Sequence, residues 1–182
     1  MVDRPILVMG ICGVGKSTVA AAIAARIGAT FVEADTFHPP ENVAAMRAGQ
    51  PLTDDMRWGW LDRVGAAVAA QPGPTVLACS ALSRAHRDRL REQTGPLRIV
   101  YLHGERALIE TRMSARQNHY MPAVLIDSQL AALQAPDRVA EAAIWLDIAA
   151  DPDRVIDQAV TALAMPPNPH QAEPKPTEEE TR

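Results

Sequence analysis

Eight residues near the start of the chain restrict its fold more than any other stretch. Gly10-Ile-Cys-Gly-Val-Gly-Lys-Ser17 matches the pattern G-x-x-x-x-G-K-[ST] in full. An apolar run over 6–9 directly precedes it, and an Ala-rich stretch over 16–26 follows. Strand, glycine loop and helix N-terminus in that order form a cradle for phosphate. The glycines let successive N–H groups turn toward an anion, and the helix end adds partial positive charge. In such a cradle Lys16 reaches the outer phosphates of a nucleotide and Ser17 ligates Mg²⁺ through its hydroxyl. Gly10, Cys12, Gly13, Val14, Gly15, Lys16, Ser17 and Thr18 are therefore the candidate ATP site, with ATP and Mg²⁺ as the expected cofactors.

Lysine usage supports that reading. Of 18 basic residues 16 are Arg, and the two lysines are Lys16 and Lys175. A lysine kept in so Arg-rich a chain fits a position where a compact ammonium cannot be replaced by a planar fork. The same scarcity excludes one function class: no Lys occurs over 17–174, so an Asn-Lys-x-Asp guanine-reading box cannot exist. The apolar run over 75–79 ends in Ser80 rather than in the Asp-Glu of a hydrolytic ATPase. A net charge of -4 over 182 residues argues against a duplex nucleic-acid binder. No apolar run approaches the ~18 residues of a membrane span. Two cysteines, Cys12 and Cys79, make no disulfide framework, so a cytoplasmic protein is expected.

Further strands are expected over 75–79, 99–102 and 143–147, with a shorter one over 30–33. Each lacks strict alternation, as strands covered on both faces do. Helical stretches lie between them, over 41–48, 56–70, 83–93, 107–117 and 151–164, with a short one near 125–133. Strands alternating with helices read as βαβ units, hence an α/β fold with a parallel sheet between helices. The segment 165–182 has five Pro and no branched aliphatic or aromatic side chain. It cannot offset its own ordering entropy and is expected to be a disordered Pro/Glu-rich tail beyond a single domain over 1–164.

After the second strand comes Glu33-Ala-Asp35. An acid-x-acid pair there suits a transferase, with one carboxylate in the Mg²⁺ hydration shell and the other on an acceptor hydroxyl. A helix or turn cap is the other reading of Asp35. Arg57 follows Asp54-Asp55 and is either a surface ion pair or a bidentate clamp on a substrate carboxylate. Arg84, Arg87 and Arg91 share a helix face by spacing, as do Arg112 and Arg116.

Five blocks of the chain resemble the gluconokinases, small carbohydrate kinases related to shikimate kinase. They are the phosphate loop, Glu33-Ala-Asp-Thr-Phe-His-Pro-Pro-Glu-Asn-Val-Ala-Ala-Met46 with Gly49-Gln-Pro-Leu-Thr-Asp-Asp-Met-Arg-Trp-Gly-Trp-Leu61, Ala78-Cys-Ser-Ala-Leu-Ser-Arg-Ala-His-Arg-Asp88, His119-Tyr-Met-Pro122, and Asp127-Ser-Gln-Leu-Ala-Ala-Leu133. The resemblance implies a P-loop three-layer sandwich with a five-stranded parallel sheet in the order 2-3-1-4-5. It implies ATP-dependent phosphorylation of D-gluconate at its 6-hydroxyl, and a homodimer. It also implies a lid at about 115–123 whose arginines, Arg112 and Arg116, close over the transferring phosphates beside Lys16. Asp35, His38, Arg57, Ser80, Arg87, His119 and Gln129 are the implied substrate contacts. Ser17 would ligate the metal, with Glu33 and Asp35 acting through water. The chain departs from the family's common pattern at Ala45 and Ser83, where lysines are usual. It departs also at Gly59, at Cys12 and Val14 in the loop, and at Glu33-Ala34. The residues alone leave open a kinase for another small sugar acid or shikimate-like acceptor, or a catalytically silent nucleotide-binding module.

Overall fold

A computed structural model describes residues 4–114 and 123–165. Five strands form one parallel sheet: β1 (Ile6–Met9), β2 (Thr30–Glu33), β3 (Thr75–Ala78), β4 (Arg98–His103) and β5 (Ile144–Asp147), in the order β2-β3-β1-β4-β5. β1 is central, with Leu7 opposite Leu77 of β3 and Ile99 of β4. This is the expected order. Strand alternation sends Ile6 and Val8 to one face and Leu7 and Met9 to the other, and all four are fully buried. The first face packs under α1 (Lys16–Ile27) and α7 (Pro152–Ala164), the second under α3 (Asp54–Ala69) and α4 (Arg84–Thr94). α2 (Pro40–Arg47), α5 (Arg106–Ser114) and α6 (Ala123–Ala132) lie in the connections that reach the carboxyl ends of the strands.

Local signals account for the boundaries. Thr53 accepts the Met56 N–H and starts α3 two residues before the first apolar position. Ser83 and His86 form a reciprocal cap on α4, the Ser83 hydroxyl taking the His86 N–H and His86 Nδ1 taking the Ser83 N–H. Arg98 donates to the Ala162, Leu163 and Met165 carbonyls and so closes the C-terminal end of α7. One element was not anticipated: Ala34–Phe37 forms a 3₁₀ turn directly beyond β2, and Asp35 sits on it.

Arg87 differs from expectation. Sequence spacing puts it beside Arg84 and Arg91 as a candidate substrate contact, whereas only 1% of it is exposed. Its Nε lies 2.9 and 3.1 Å from the two Glu141 oxygens, and Nη2 is 2.8 Å from Oε2. Nη1 donates to the Ala81, Leu82 and Gln134 carbonyls. Arg87 is thus a core ion pair and not a substrate ligand, because its donors are turned onto protein acceptors. It braces the loop after β3 from behind, including Ala81, whose φ of 37° is unusual for a side-chain-bearing residue. Replacing Arg87 by Met leaves buried Glu141 with only the longer Arg91 contact at 3.3 Å, so urea unfolding should show a loss of about 3–5 kcal/mol. The double variant Arg87→Met/Glu141→Leu should recover much of that loss. Equal stability of wild type and Arg87→Met would contradict this assignment.

Candidate active site

The loop between β1 and α1 is shaped by its glycines. Gly10 has φ 143°, and a Cβ there would meet the Leu102 carbonyl oxygen at 2.5 Å. Gly13 has φ 83°, and a Cβ there would lie 2.7 Å from Met113 Cγ. Only glycine permits both the backbone turn and this close approach. Lys16 opens α1 and is half-buried, its Nζ donating to the Ile11 carbonyl at 2.9 Å. Loss of water lowers its pKa, and the nearby Asp35, Cys12, Cys79 and Glu33 pull it back up. Ser17 and Thr18 follow it, exposed, on the first turn of the helix.

Two hollows flank this loop. One, of about 290 Å³, is walled by Gly13, Val14, Gly15, Thr18 and Val19, by Ile148 and Ala150 after β5, and by Pro152 and Val155 of α7. Arg112 completes it, with Nη2 donating to the Ile148 carbonyl at 2.7 Å. Its largely aliphatic walls and its position beside the loop suit the base and ribose of a nucleotide. The second hollow, about 100 Å³, brings together Lys16, Asp35, His38, Arg57, Ser80, His86 and Gln129, with Cys12 and Trp60. It lies at the carboxyl ends of β1, β2 and β3, where open parallel sheets take their ligands. Six of the expected substrate and catalytic residues therefore share one cavity: Lys16, Asp35, His38, Arg57, Ser80 and Gln129. Arg116 and His119 lie outside the described residues, as does most of the expected lid.

The polar groups of the second hollow are individually held. Arg57 Nη1 donates to Asp54 Oδ1 at 2.8 Å, and His86 Nε2 lies 3.0 Å from the same oxygen. Those two bonds hold the Asp54 carboxyl below its usual range. His86 Nδ1 already accepts the Ser83 N–H, so the ring carries its proton on Nε2 and donates to Asp54. Trp58 packs edge-on against that ring at 5.4 Å. The His38 side chain is 4% exposed and stacks on Trp60, with centroids 4.2 Å apart and planes 14° from parallel. Trp60 is fixed in turn by its indole N–H on the Ala34 carbonyl. Burial lowers the pKa of both histidines against the pull of nearby carboxylates. Gln129 Oε1 accepts the Cys12 N–H at 2.7 Å, an oxygen seated on a phosphate-loop donor. Cys12 and Cys79 are not joined in a disulfide, and burial pushes the Cys79 thiol up to about 12.

Sequence reasoning missed His86 and Asn42, a buried amide that donates to the Met56 carbonyl. His86 had a signal in retrospect, as the third residue after a capping serine. Its partner Asp54 lies 32 positions away, which no local pattern shows.

A family model for an AAA domain matches residues 6–136. The gluconokinase of Gluconobacter oxydans is 44% identical over 137 residues, covering 73% of this chain and 76% of that protein. The chain belongs to the gluconokinase family. Solved structures agree with this family placement. A gluconokinase from Sinorhizobium meliloti 1021 superposes with a TM-score of 0.81 at 42% identity, over 88% of this chain and 91% of that one. An unliganded sugar kinase from Janibacter sp. HTCC2649 gives 0.84 at 42% identity, over 90% and 96%. In this gluconokinase-family fold no described helix is long and apolar enough to cross a membrane.

The held groups give the site a pH signature. His38, His86 and Asp54 all bind protons less readily folded than unfolded, where the ordinary values are 6.5 for the histidines and 3.8 for the acid. Their contribution is complete above those values and is lost as pH falls through the lower folded ones. The urea midpoint should therefore drop between pH 7 and pH 5, and His38→Gln/His86→Gln should flatten that drop. A wild-type midpoint that stays constant over this range would contradict the assignment.

Proposed function

We propose that this protein transfers the γ-phosphoryl group of ATP to the 6-hydroxyl of D-gluconate, giving 6-phospho-D-gluconate and ADP. The observation that carries the reading is the shared hollow. It sets the phosphate-loop ammonium of Lys16 beside a carboxylate, Asp35, and a guanidinium, Arg57. A linear sugar acid offers complementary chemistry at each point: a terminal hydroxyl for Asp35, a carboxylate for Arg57, and intervening hydroxyls for His38, Ser80 and Gln129. Family membership favours gluconate over other acceptors.

The residues present fit ATP and Mg²⁺. The loop's glycines carry the positive φ values of a phosphate cradle, and its Cys12 N–H already donates to an oxygen, Gln129 Oε1. Ser17 would ligate the metal, with Glu33 and Asp35 reaching it through water. When bound, Mg²⁺ neutralises charge on the outer phosphates. Asp35 orients the acceptor hydroxyl and takes its proton. Lys16 stabilises the charge that spreads over the transferring group. Arg57, anchored by Asp54, aligns the far end of the acceptor, and that alignment converts binding into reactive geometry. We assign Arg112 to the nucleotide side.

The test is ADP release with a panel of aldonic acids, with shikimate and nucleoside monophosphates as controls. Gluconate should be turned over with the highest kcat/KM, and Lys16→Ala should abolish turnover. Arg57→Met should raise KM for gluconate by tenfold or more, on the order of the ~1.5–3 kcal/mol of a hydrogen bond to a charged group. Near-native turnover by Lys16→Ala, or preference for a monophosphate acceptor, would refute the assignment.

A further inference from the structure

Asn42 lies behind the acceptor hollow rather than in it. It sits on α2, four residues after His38, and is 1% exposed. Its Nδ2 donates to the Met56 carbonyl at 2.9 Å. A carbonyl oxygen only accepts, so that contact identifies Nδ2 as the amide NH₂. The same nitrogen is 3.3 Å from His38 Nδ1. With one hydrogen given to Met56, the other is available to the ring, and Nδ1 must be a bare acceptor. A neutral imidazole with Nδ1 bare carries its proton on Nε2. His38 Nε2 faces Asp35 Oδ1 at 3.9 Å. The Asp35 side chain is 77% exposed and can rotate to close that gap, while His38 is clamped on Trp60.

We infer that Asn42 is a positioning residue for the phosphoryl transfer, holding His38 in the Nε2–H tautomer so that the ring presents a hydrogen-bond donor to Asp35. The inference rests on the reading of Asp35 as the carboxylate that receives the acceptor proton. The opposite tautomer would aim a lone pair at that carboxylate and push it away. An imidazolium would pair with it and weaken it as a base. Asn42 opposes both, because its N–H cannot face a protonated Nδ1. The charged groups around the ring are Asp35 on the 3₁₀ turn and Arg57 and Arg63 on α3, while Lys16 and His86 line the same hollow. Asp35 favours a second proton on His38, and the two arginines and Asn42 oppose it.

Long-range ¹H–¹⁵N NMR of the full chain reads the tautomer directly, with the His38 signals assigned by their loss in His38→Gln. At pH 7 Nδ1 should be unprotonated and Nε2 protonated; an Nδ1–H ring or an imidazolium would overturn the inference. Asn42→Asp exchanges the donor for a charged acceptor and should raise the His38 titration midpoint by about one pH unit or more. The acid limb of kcat should move up with it. Asn42→Leu, which removes the donor alone, should let the Nδ1–H form appear. Variants that fold but leave both the tautomer and the titration of His38 unchanged would refute the role. The NMR readout needs neither acceptor nor nucleotide, so failure to phosphorylate gluconate would count against the proposed reaction and not against the tautomer.

Discussion

A half-buried ammonium is the constraint on which the rest of this site depends. Lys16 loses water to the surrounding loop, and its one described hydrogen bond goes to the neutral Ile11 carbonyl. Asp35 and Glu33 act on it through space rather than as bonded partners. Such a cation is poised for a polyanion, since a ligand that supplies negative charge restores what desolvation removed. The strand order makes this work: β3 lies between β1 and β2, so the phosphate loop and the acidic turn face each other across the β3 end, where Ser80 sits. The placement of the nucleotide and acceptor sides follows from that geometry.

The acceptor side is rigid where it must be polar. Two buried histidines are each tied at Nδ1 by an N–H donor, from Asn42 for His38 and from Ser83 for His86. Both therefore turn an Nε2–H toward a carboxylate, Asp35 in one case and Asp54 in the other. Arg57 enters the hollow already anchored on Asp54. Behind them the Arg87–Glu141 pair, with Arg91 at 3.3 Å from Glu141, holds the loop that carries Ser80 to Leu82. His38, His86 and Arg57 are thus held before any ligand arrives, and Asp35 is the group left to move; fixed dipoles and charges of this kind lower a barrier.

Much of this was legible in the sequence because its causes are local. The run over 6–9 and the loop motif placed β1 and α1 correctly, since strand, glycine turn and helix follow one another in the chain. The 3₁₀ turn at Ala34–Phe37 was not legible: four residues carry no periodicity to separate a turn from a strand end. Arg87 shows a deeper limit. Spacing tells that it shares a helix face with Arg84 and Arg91, yet it cannot tell what that face meets, and Glu141 is 54 positions on. Asn42 was hidden likewise, because its partner carbonyl at Met56 belongs to the next helix. Chemistry that depends on contacts between distant elements stays invisible until the fold brings them together.

The central claim is that Lys16 and Asp35 face one another across a shared hollow in order to move a phosphoryl group onto a primary alcohol of a sugar acid. Phosphorus NMR of the reaction with ATP and gluconate tests it most directly. The account predicts a phosphomonoester resonance split into a triplet by the two C6 protons, rising in step with ADP. Orthophosphate as the sole product, or a doublet from a secondary alcohol, would contradict it.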